Sequence, residues 1–363
     1  MAGKGRKAAV VAASALALTV PMAAPAAAAP KVSAPVVSGL VGPLGLAVGS
    51  YGELAVAQSF AGALTTVQSD GSTANLVEGA PGAIWGVAAG PKGSYAYTFS
   101  GGDPESGFVG TVNVVDADGD VRVLADTVAY EEANNPDAVN SYGFQGLSDY
   151  CASRVPEEVG GGEPYPGIVE SNPYAVARAS GSHYVADAAG NTILKVTSRG
   201  RVSTAAVLPP LPTVITAEAA AALGLPKCVV GKTYNFEFVP TDVEVGSDGM
   251  LYVSGLPGGP EDDSLGARGV VYRVNPTTGA TTPVASGFLG ATDLAVGSDG
   301  TIYVAELFGG RIAKVRGGTV STLVEVPLPG AVEFKGGKLY ATIDALPVSE
   351  TEPPDGKVVK IRL

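Results

Sequence analysis

Asp242 and Asp293 occupy the same place in two stretches that nearly superimpose. The first runs Pro240-Thr241-Asp242-Val243-Glu244-Val245-Gly246-Ser247-Asp248-Gly249-Met250-Leu251-Tyr252-Val253, the second Ala291-Thr292-Asp293-Leu294-Ala295-Val296-Gly297-Ser298-Asp299-Gly300-Thr301-Ile302-Tyr303-Val304. Two aspartates on neighbouring copies of one repeat can bring two carboxylates to one spot. With Asn172 and Glu170 just before another copy, they form a candidate oxygen-donor set for a hard cation such as Ca²⁺ or another divalent ion. Such an ion can polarise a carbonyl or activate water in a hydrolase. The plainer reading, which the residues favour, is that each aspartate holds backbone amides beside a central channel. Trp85 and Tyr174 add aromatic surface. Asp187, Glu306 and the run Glu261-Asp262-Asp263 add loop acids, the run reading as a solvated loop. Trp85, Tyr174, Asp187 and Glu306 are thus candidates for a binding face. No catalytic constellation is complete.

Composition limits the chemistry further. The chain has 363 residues, 23 Lys and Arg against 35 Asp and Glu, a net charge of −12, one His and two Cys. An acidic chain with no basic stripe is a poor nucleic-acid partner. A lone His183, read as structural or exposed, leaves too few imidazoles for a His-ligated zinc centre. Gly 50 and Pro 27 point to many turns between short strands.

The N-terminus has the make-up of an export signal. Lys4, Arg6 and Lys7 precede the apolar run 8–20, and the Ala-rich 23–29 supplies small residues for cleavage, placed after Ala28. The run is short for a span and is bounded by Pro21. The expectation is a chain that enters an oxidising, extracellular compartment, with no transmembrane segment after signal removal.

The elements that position these residues repeat. Each aspartate stretch is an alternating strand, an Asp-Gly turn and a second alternating strand, the pattern of a β-hairpin. Third strands follow at Val270–Val274 and Arg311–Val315, and fourth strands at Ala280–Val284 and Thr319–Leu323. A four-stranded unit of this length is a propeller blade. The unit fits again at 45–77, 86–124 and 174–207. At 331–363 only three strands fit, and 32–37 reads as the missing fourth. Pairing the chain's two ends removes sheet edges. The expected fold is all-β: a six-bladed propeller in one domain, 29–363. Aligning the units places Gly45, Gly86, Tyr174, Asp242, Asp293 and Ala331 at one position. Tyr184, Tyr252, Tyr303 and Tyr340 share a second-strand position, suited to wedging between blades.

Two long connections interrupt the repeat, 125–171 and 208–239. Each leaves a fourth strand for the next first strand, so both emerge on one face. They carry the only cysteines, Cys151 and Cys228, and a disulfide between them is the expectation in an exported chain. In the second, Thr216 caps a helix from Ala217 to Leu223, which Gly224 and Pro226 end.

Several of these segments together resemble the ScyD/ScyE family. They are Glu131–Asp137 (EEANNPD), Ser171-Asn172-Pro173-Tyr174, Tyr184–Asn191, Pro240-Thr241-Asp242, and Gly269–Val274 followed by Gly287-Phe288. The resemblance spans about 36–363. It implies an exported propeller of undefined biochemical activity. Taken singly, the repeats are similar to the broader NHL and gluconolactonase-like propellers. The latter hold a divalent metal at the channel with Glu, Asn and Asp, which implies comparable parts for Asn172, Asp242 and Asp293. Gly45 stands at the matching first-blade position and offers no ligand; Glu170 or Glu306 would have to replace it. Two functions therefore stand side by side. One is a secreted recognition module binding a protein, glycan or small ligand on the looped face. The other is a divalent-metal-dependent lactonase or esterase at the channel.

Overall fold

The computed structural model describes residues 30–157, 160–260, 264–347 and 352–363. The export-signal segment 1–28 and Glu261-Asp262-Asp263 lie outside the described residues. The described chain is all-β, with six larger sheets and one three-stranded sheet.

The larger sheets follow the sequence repeat. The first holds Pro43–Val48, Leu54–Gln58, Ala63–Val67 and Thr73–Val77; the second Gly82–Ala89, Tyr95–Asp103, Gly107–Val115 and Val121–Asp126. The third holds Pro173–Ala179, Ser182–Asp187, Thr192–Thr197 and Val202–Val207; the fourth Phe238–Val245, Leu251–Pro257, Gly269–Val274 and Thr281–Phe288. Ala291–Val296, Ile302–Glu306, Arg311–Arg316 and Thr319–Glu325 make the fifth. Every adjacent pair within these sheets is antiparallel. The sixth joins the chain's two ends. Val332–Lys335, Lys338–Ile343 and Gly356–Arg362 pair in order, and Lys31–Val32 and Val37–Leu40 add to the outer edge of Gly356–Arg362. The expected fourth strand at 32–37 is thus present, bent at Ser33–Val36 and extended to Leu40.

Packing links the sheets in sequence order. The first strand of each sheet contacts that of the next, and Val332–Lys335 returns to Pro43–Val48. A separate apolar cluster fills each of the six junctions. Alternation explains this: each sheet turns one set of side chains to the preceding sheet and the other to the following one. The recurrent tyrosines sit in these junctions. Tyr184 packs with the fourth sheet, Tyr303 with the sixth, and Tyr340 with the first.

One sequence expectation needs correction, and one gains detail. The Asp-Gly turns join hairpin strands as expected and are longer than two residues. The strands stop at Val245 and resume at Leu251, and Gly246 N donates to Met250 O at 2.8 Å around the longer connection. Gly249 still takes the left-handed backbone there, φ 73°. The alignment at Tyr174 is one residue out. Five of the first strands carry a bulge near their start, so that Asp242 pairs with Ser254, Asp293 with Ala305, Gly45 with Ala57, and Ala175, not Tyr174, with Ala186. The third and fourth sheets share this bulge, and the offset arises in the hairpin turn: Ala179 pairs with Ser182 across two residues, whereas Gly246 N reaches Met250 O across three.

The insertions form a small unit of their own. Helices α2 (Asp149–Ala152) and α3 (Ala217–Ala222) pack on the sheet of Gly143–Phe144, Leu211–Val214 and Thr233–Phe236, whereas α1 (Thr127–Asn134) lies against Gly107–Val115 and Val202–Val207. Thr216 caps α3 as expected, accepting from Ala219 N at 3.1 Å. Cys151 and Cys228 are disulfide-bonded, with Cα atoms 5.9 Å apart. They lie within a cluster of Phe144, Val155, Ile215, Val229, Tyr234 and Phe236. Among the described residues no helix is long and apolar enough to cross a membrane.

Candidate functional site

First strands of all six sheets surround a channel, and the sequence-singled aspartates face it. Asp242 Oδ2 accepts a hydrogen bond from Leu294 N of the fifth sheet at 3.1 Å. Asp293 Oδ1 accepts from Val332 N of the sixth at 2.9 Å. The preceding threonines complete the joint: Thr241 Oγ1 donates to Ala291 O at 2.7 Å and Thr292 Oγ1 to Gly330 O at 2.9 Å. Each pair therefore satisfies a donor and an acceptor of the neighbouring sheet, groups that burial would otherwise penalise. Gly45 and Gly86 solve the same joint by close approach. A Cβ on Gly45 would collide with the Trp85 carbonyl, and one on Gly86 would lie 2.6 Å from Ala175 Cα.

The cavity enclosed there measures about 20 Å³, room for a water rather than a substrate. Asp242, Glu244 and Asp293 line it; Asn172 and Glu170 do not. Asn172 Oδ1 instead accepts from Ser100 Oγ at 2.6 Å, and the Glu170 side chain is exposed. Burial pushes Asp242 up to about 7. Burial, reinforced by Asp242, holds Asp293 well above the usual carboxylate range. Burial and Glu333 do the same for Glu244, and burial raises Glu333 to about 8 against the pull of Lys335. The channel thus carries four acids that resist ionisation. Among the described residues no three Asp, Glu, His or Cys side chains stand in chelating geometry.

The other candidates are spread over the looped face. Trp85 and Tyr174 stack at 5.0 Å beside the apolar group of Leu44, Leu307, Phe308 and Ala345. Glu306 is buried: Oε1 accepts from Leu289 N at 2.9 Å and Oε2 pairs with Arg311 Nε at 2.7 Å. Asp187 is also fully buried, accepting from Asn172 N at 2.7 Å and from Ser171 Oγ at 2.6 Å. Both acids brace loops rather than face solvent. His183 lines a different cavity with Arg122 and Arg178, and burial first, then those arginines, lowers its pKa.

A partly open space lies between the two insertions. A cavity of about 380 Å³ is lined by Phe144, Ile215, Leu225, Tyr234, Phe236 and Glu237, among others. Tyr165, Gly160 and Glu237 join it to an open cleft of about 800 Å³ edged by Asp149, Glu157 and Glu163. Glu237 lies where the apolar and acidic halves meet. Tyr165 Oη donates to its Oε1 at 3.3 Å, and burial raises its pKa. The disulfide holds one wall against the other. Sequence reasoning found the insertions and their staple but missed Glu237, Tyr165 and Phe236; the alternation Tyr234, Phe236, Phe238 was the available signal.

A second group also escaped it. Glu131 lies on α1, whose start Asp126 caps by accepting from Ala129 N at 2.9 Å. Glu131 and Asp137 are buried near Asp187. Burial, then the charges of Asp187 and Asp137, push Glu131 up to about 8.

No known family's sequence model matches the chain. No curated protein matches it either. Solved structures do. The chain is similar to the PQQ-bound aldose sugar dehydrogenase of Streptomyces coelicolor at 16% identity and TM-score 0.58, covering 94% of this chain and 99% of that one. A glucose dehydrogenase matches at 13% identity and TM-score 0.51, covering 91% and 98%. A gluconolactonase of Xanthomonas campestris matches at 12% identity and TM-score 0.50, covering 93% and 96%. These neighbours are NHL-like and gluconolactonase-like propeller proteins, and at such identities the likeness is one of fold: this chain has a propeller-like all-β architecture.

Proposed function

We propose that the chain is an exported, six-bladed β-propeller of the ScyD/ScyE kind whose insertion face recognises a small organic ligand with an apolar body and a cationic group. The export signal at 1–28 and a single domain over 29–363 belong to this reading, as does a secreted location. The cyclic contacts among the six first strands support the blade count.

The observation that carries the function is the cavity of about 380 Å³ between the insertions. It falls in the size range of small-molecule sites, is mostly apolar, and has few polar groups, as such sites do. Acids edge its open side, which selects a cation over an anion. A fragment library read by melting temperature tests this. Amine-bearing aromatic fragments should stabilise the protein, and Glu237→Gln should remove most of that stabilisation. A protein or glycan that binds while such fragments do not would replace the small-ligand reading.

A second reading is a divalent-metal-dependent lactonase or esterase at the channel. What favours it is that Asp242, Glu244 and Asp293 share one cavity. Metal-dependent turnover of lactones or esters, lost in the Asp242→Asn, Asp293→Asn protein with folding retained, would establish it. Absence of turnover with every divalent ion tried would sink it.

A further inference from the structure

Glu131 is 1% exposed and neither of its carboxylate oxygens has a hydrogen-bond partner. Asp137 is 0% exposed with Oδ1 unpartnered, and Asn191 is 1% exposed with Oδ1 unpartnered. These groups adjoin. Asn191 Nδ2 donates to Asp137 Oδ2 at 2.9 Å, and Tyr142 Oη donates to the same oxygen at 3.1 Å. Gly190, next in the chain to Asn191, marks where further oxygens converge. A Cβ placed on it would fall 3.3 Å from the Glu170 carbonyl oxygen, 3.4 Å from Asp187 Cγ and 3.4 Å from Glu131 Oε2.

A buried carboxylate with no donor to either oxygen is costly. Here one such acid, Glu131, and a second with one unpartnered oxygen, Asp137, stand beside a third, Asp187, whose own oxygens are already taken by Asn172, Gly190 and Ser171. No ion pair to Glu131, Asp137 or Asp187 occurs among the described residues. The channel acids differ, because Asp242 and Asp293 each hold a backbone amide.

We infer that Glu131, Asp137 and Asn191 Oδ1, with the main-chain carbonyl of Glu170, form a site for a hard divalent cation of the calcium class. The donors are all oxygen and of mixed type, carboxylate, carboxamide and carbonyl, which suits the irregular six- to eight-fold shell of Ca²⁺ better than the strict octahedron of Mg²⁺. No three acids already chelate, so the ion draws the two carboxylates inward and fills its shell with neutral oxygens. Its place has a structural consequence. Glu131 and Asp137 belong to the first insertion, Gly190 and Asn191 to a connection of the third sheet. The ion would pin the insertion to the sheet beneath the proposed ligand face. This site is separate from the channel and adjoins the ligand cavity through Asn191, whose Nδ2 donates to Glu237 Oε2 at 3.5 Å; its test reads Ca²⁺ binding alone and so does not depend on either reading above.

Tb³⁺, which takes calcium sites and emits when a nearby tyrosine absorbs, is the direct probe, with Tyr142 the sensitiser. The metal-stripped protein should show tyrosine-excited Tb³⁺ emission. Ca²⁺ should displace it, and Mg²⁺ at equal concentration should not. Ca²⁺ should also raise the melting temperature, by linkage to the folded state. Glu131→Gln and Asp137→Asn should each weaken Ca²⁺ by about tenfold or more, whereas the Asp242→Asn, Asp293→Asn protein should bind as the parent does. Glutamine keeps the volume of Glu131 and removes a buried charge, so that variant should melt no lower than the parent without Ca²⁺. If it does not fold, Asp137→Asn decides alone. Neither emission nor a Ca²⁺ shift in the parent protein would overturn the site, as would unchanged affinity in the variants that fold.

Discussion

Asp242 and Asp293 show how one residue type can be read two ways from a sequence. Their spacing correctly placed both at the channel, but spacing does not show what each oxygen holds. Each carboxylate accepts a backbone N–H of the following sheet. Two predictions belong here. Asp293→Ala should destabilise the protein by ~1–3 kcal/mol, because Val332 N loses its buried acceptor; urea unfolding measures it. The second concerns pH. The folded-state pKa values of Asp242, about 7, and Glu333, about 8, are raised, as are those of Glu244 and Asp293. A raised acid binds more protons folded than unfolded. Its stabilising contribution is complete below the unfolded carboxylate pKa of ~4 and is lost as pH rises through the folded value. The urea midpoint should therefore fall between pH 6 and pH 9. Asp242→Asn, which keeps an acceptor oxygen without the charge, should flatten that fall. A midpoint that rises over this interval would contradict the raised values. Glu131 and Glu237 were not legible as functional candidates, because partnerlessness and pocket position depend on what folds around a residue.

The strands, the end-to-end pairing and the helix capped by Thr216 were legible because each has a local cause: alternation, a turn glycine, a capping hydroxyl. The bulges were not. A bulge is one extra residue in one strand, visible only against its partner, and the third sheet's hairpin turn, one residue shorter than the fourth's, moved the equivalent position from Tyr174 to Ala175. Helix α1 was also missed, since Asp126 sits at a strand end and its capping role appears only with the chain's turn. The insertion unit depends on its staple as much as on its core. Cys228→Ser should cost ~2–4 kcal/mol. It should act on the insertions first, so limited proteolysis of the variant should cut within 125–171 or 208–239 before any of the six larger sheets. Cleavage starting in the sheets would show that the disulfide supports the ring instead.

The molecule as a whole is closed by its ends. Lys31–Val32 and Val37–Leu40 cover the edge of Gly356–Arg362, and Leu40 joins the cluster between the sixth and first sheets. Removing residues 30–40 should expose that edge and lower the melting temperature by several degrees, with increased self-association. Full-length and shortened proteins that melt alike and self-associate alike would mean the closure is ornamental. The repeat made this architecture readable, whereas the proposed ligand cavity is lined mostly by the two segments that break the repeat, which is why it was not. The central functional claim is that this cavity, not the channel, binds a ligand, and that its acids choose the ligand's charge. Fluorescence titration with a matched pair of apolar dyes tests it most directly: cationic thioflavin T and anionic anilinonaphthalene sulfonate. The cavity should take thioflavin T in preference, Glu237→Gln should weaken that binding, and the Asp242→Asn, Asp293→Asn protein should bind as the parent does. Equal or stronger binding of the anionic dye, or loss of binding in the channel variant alone, would contradict it.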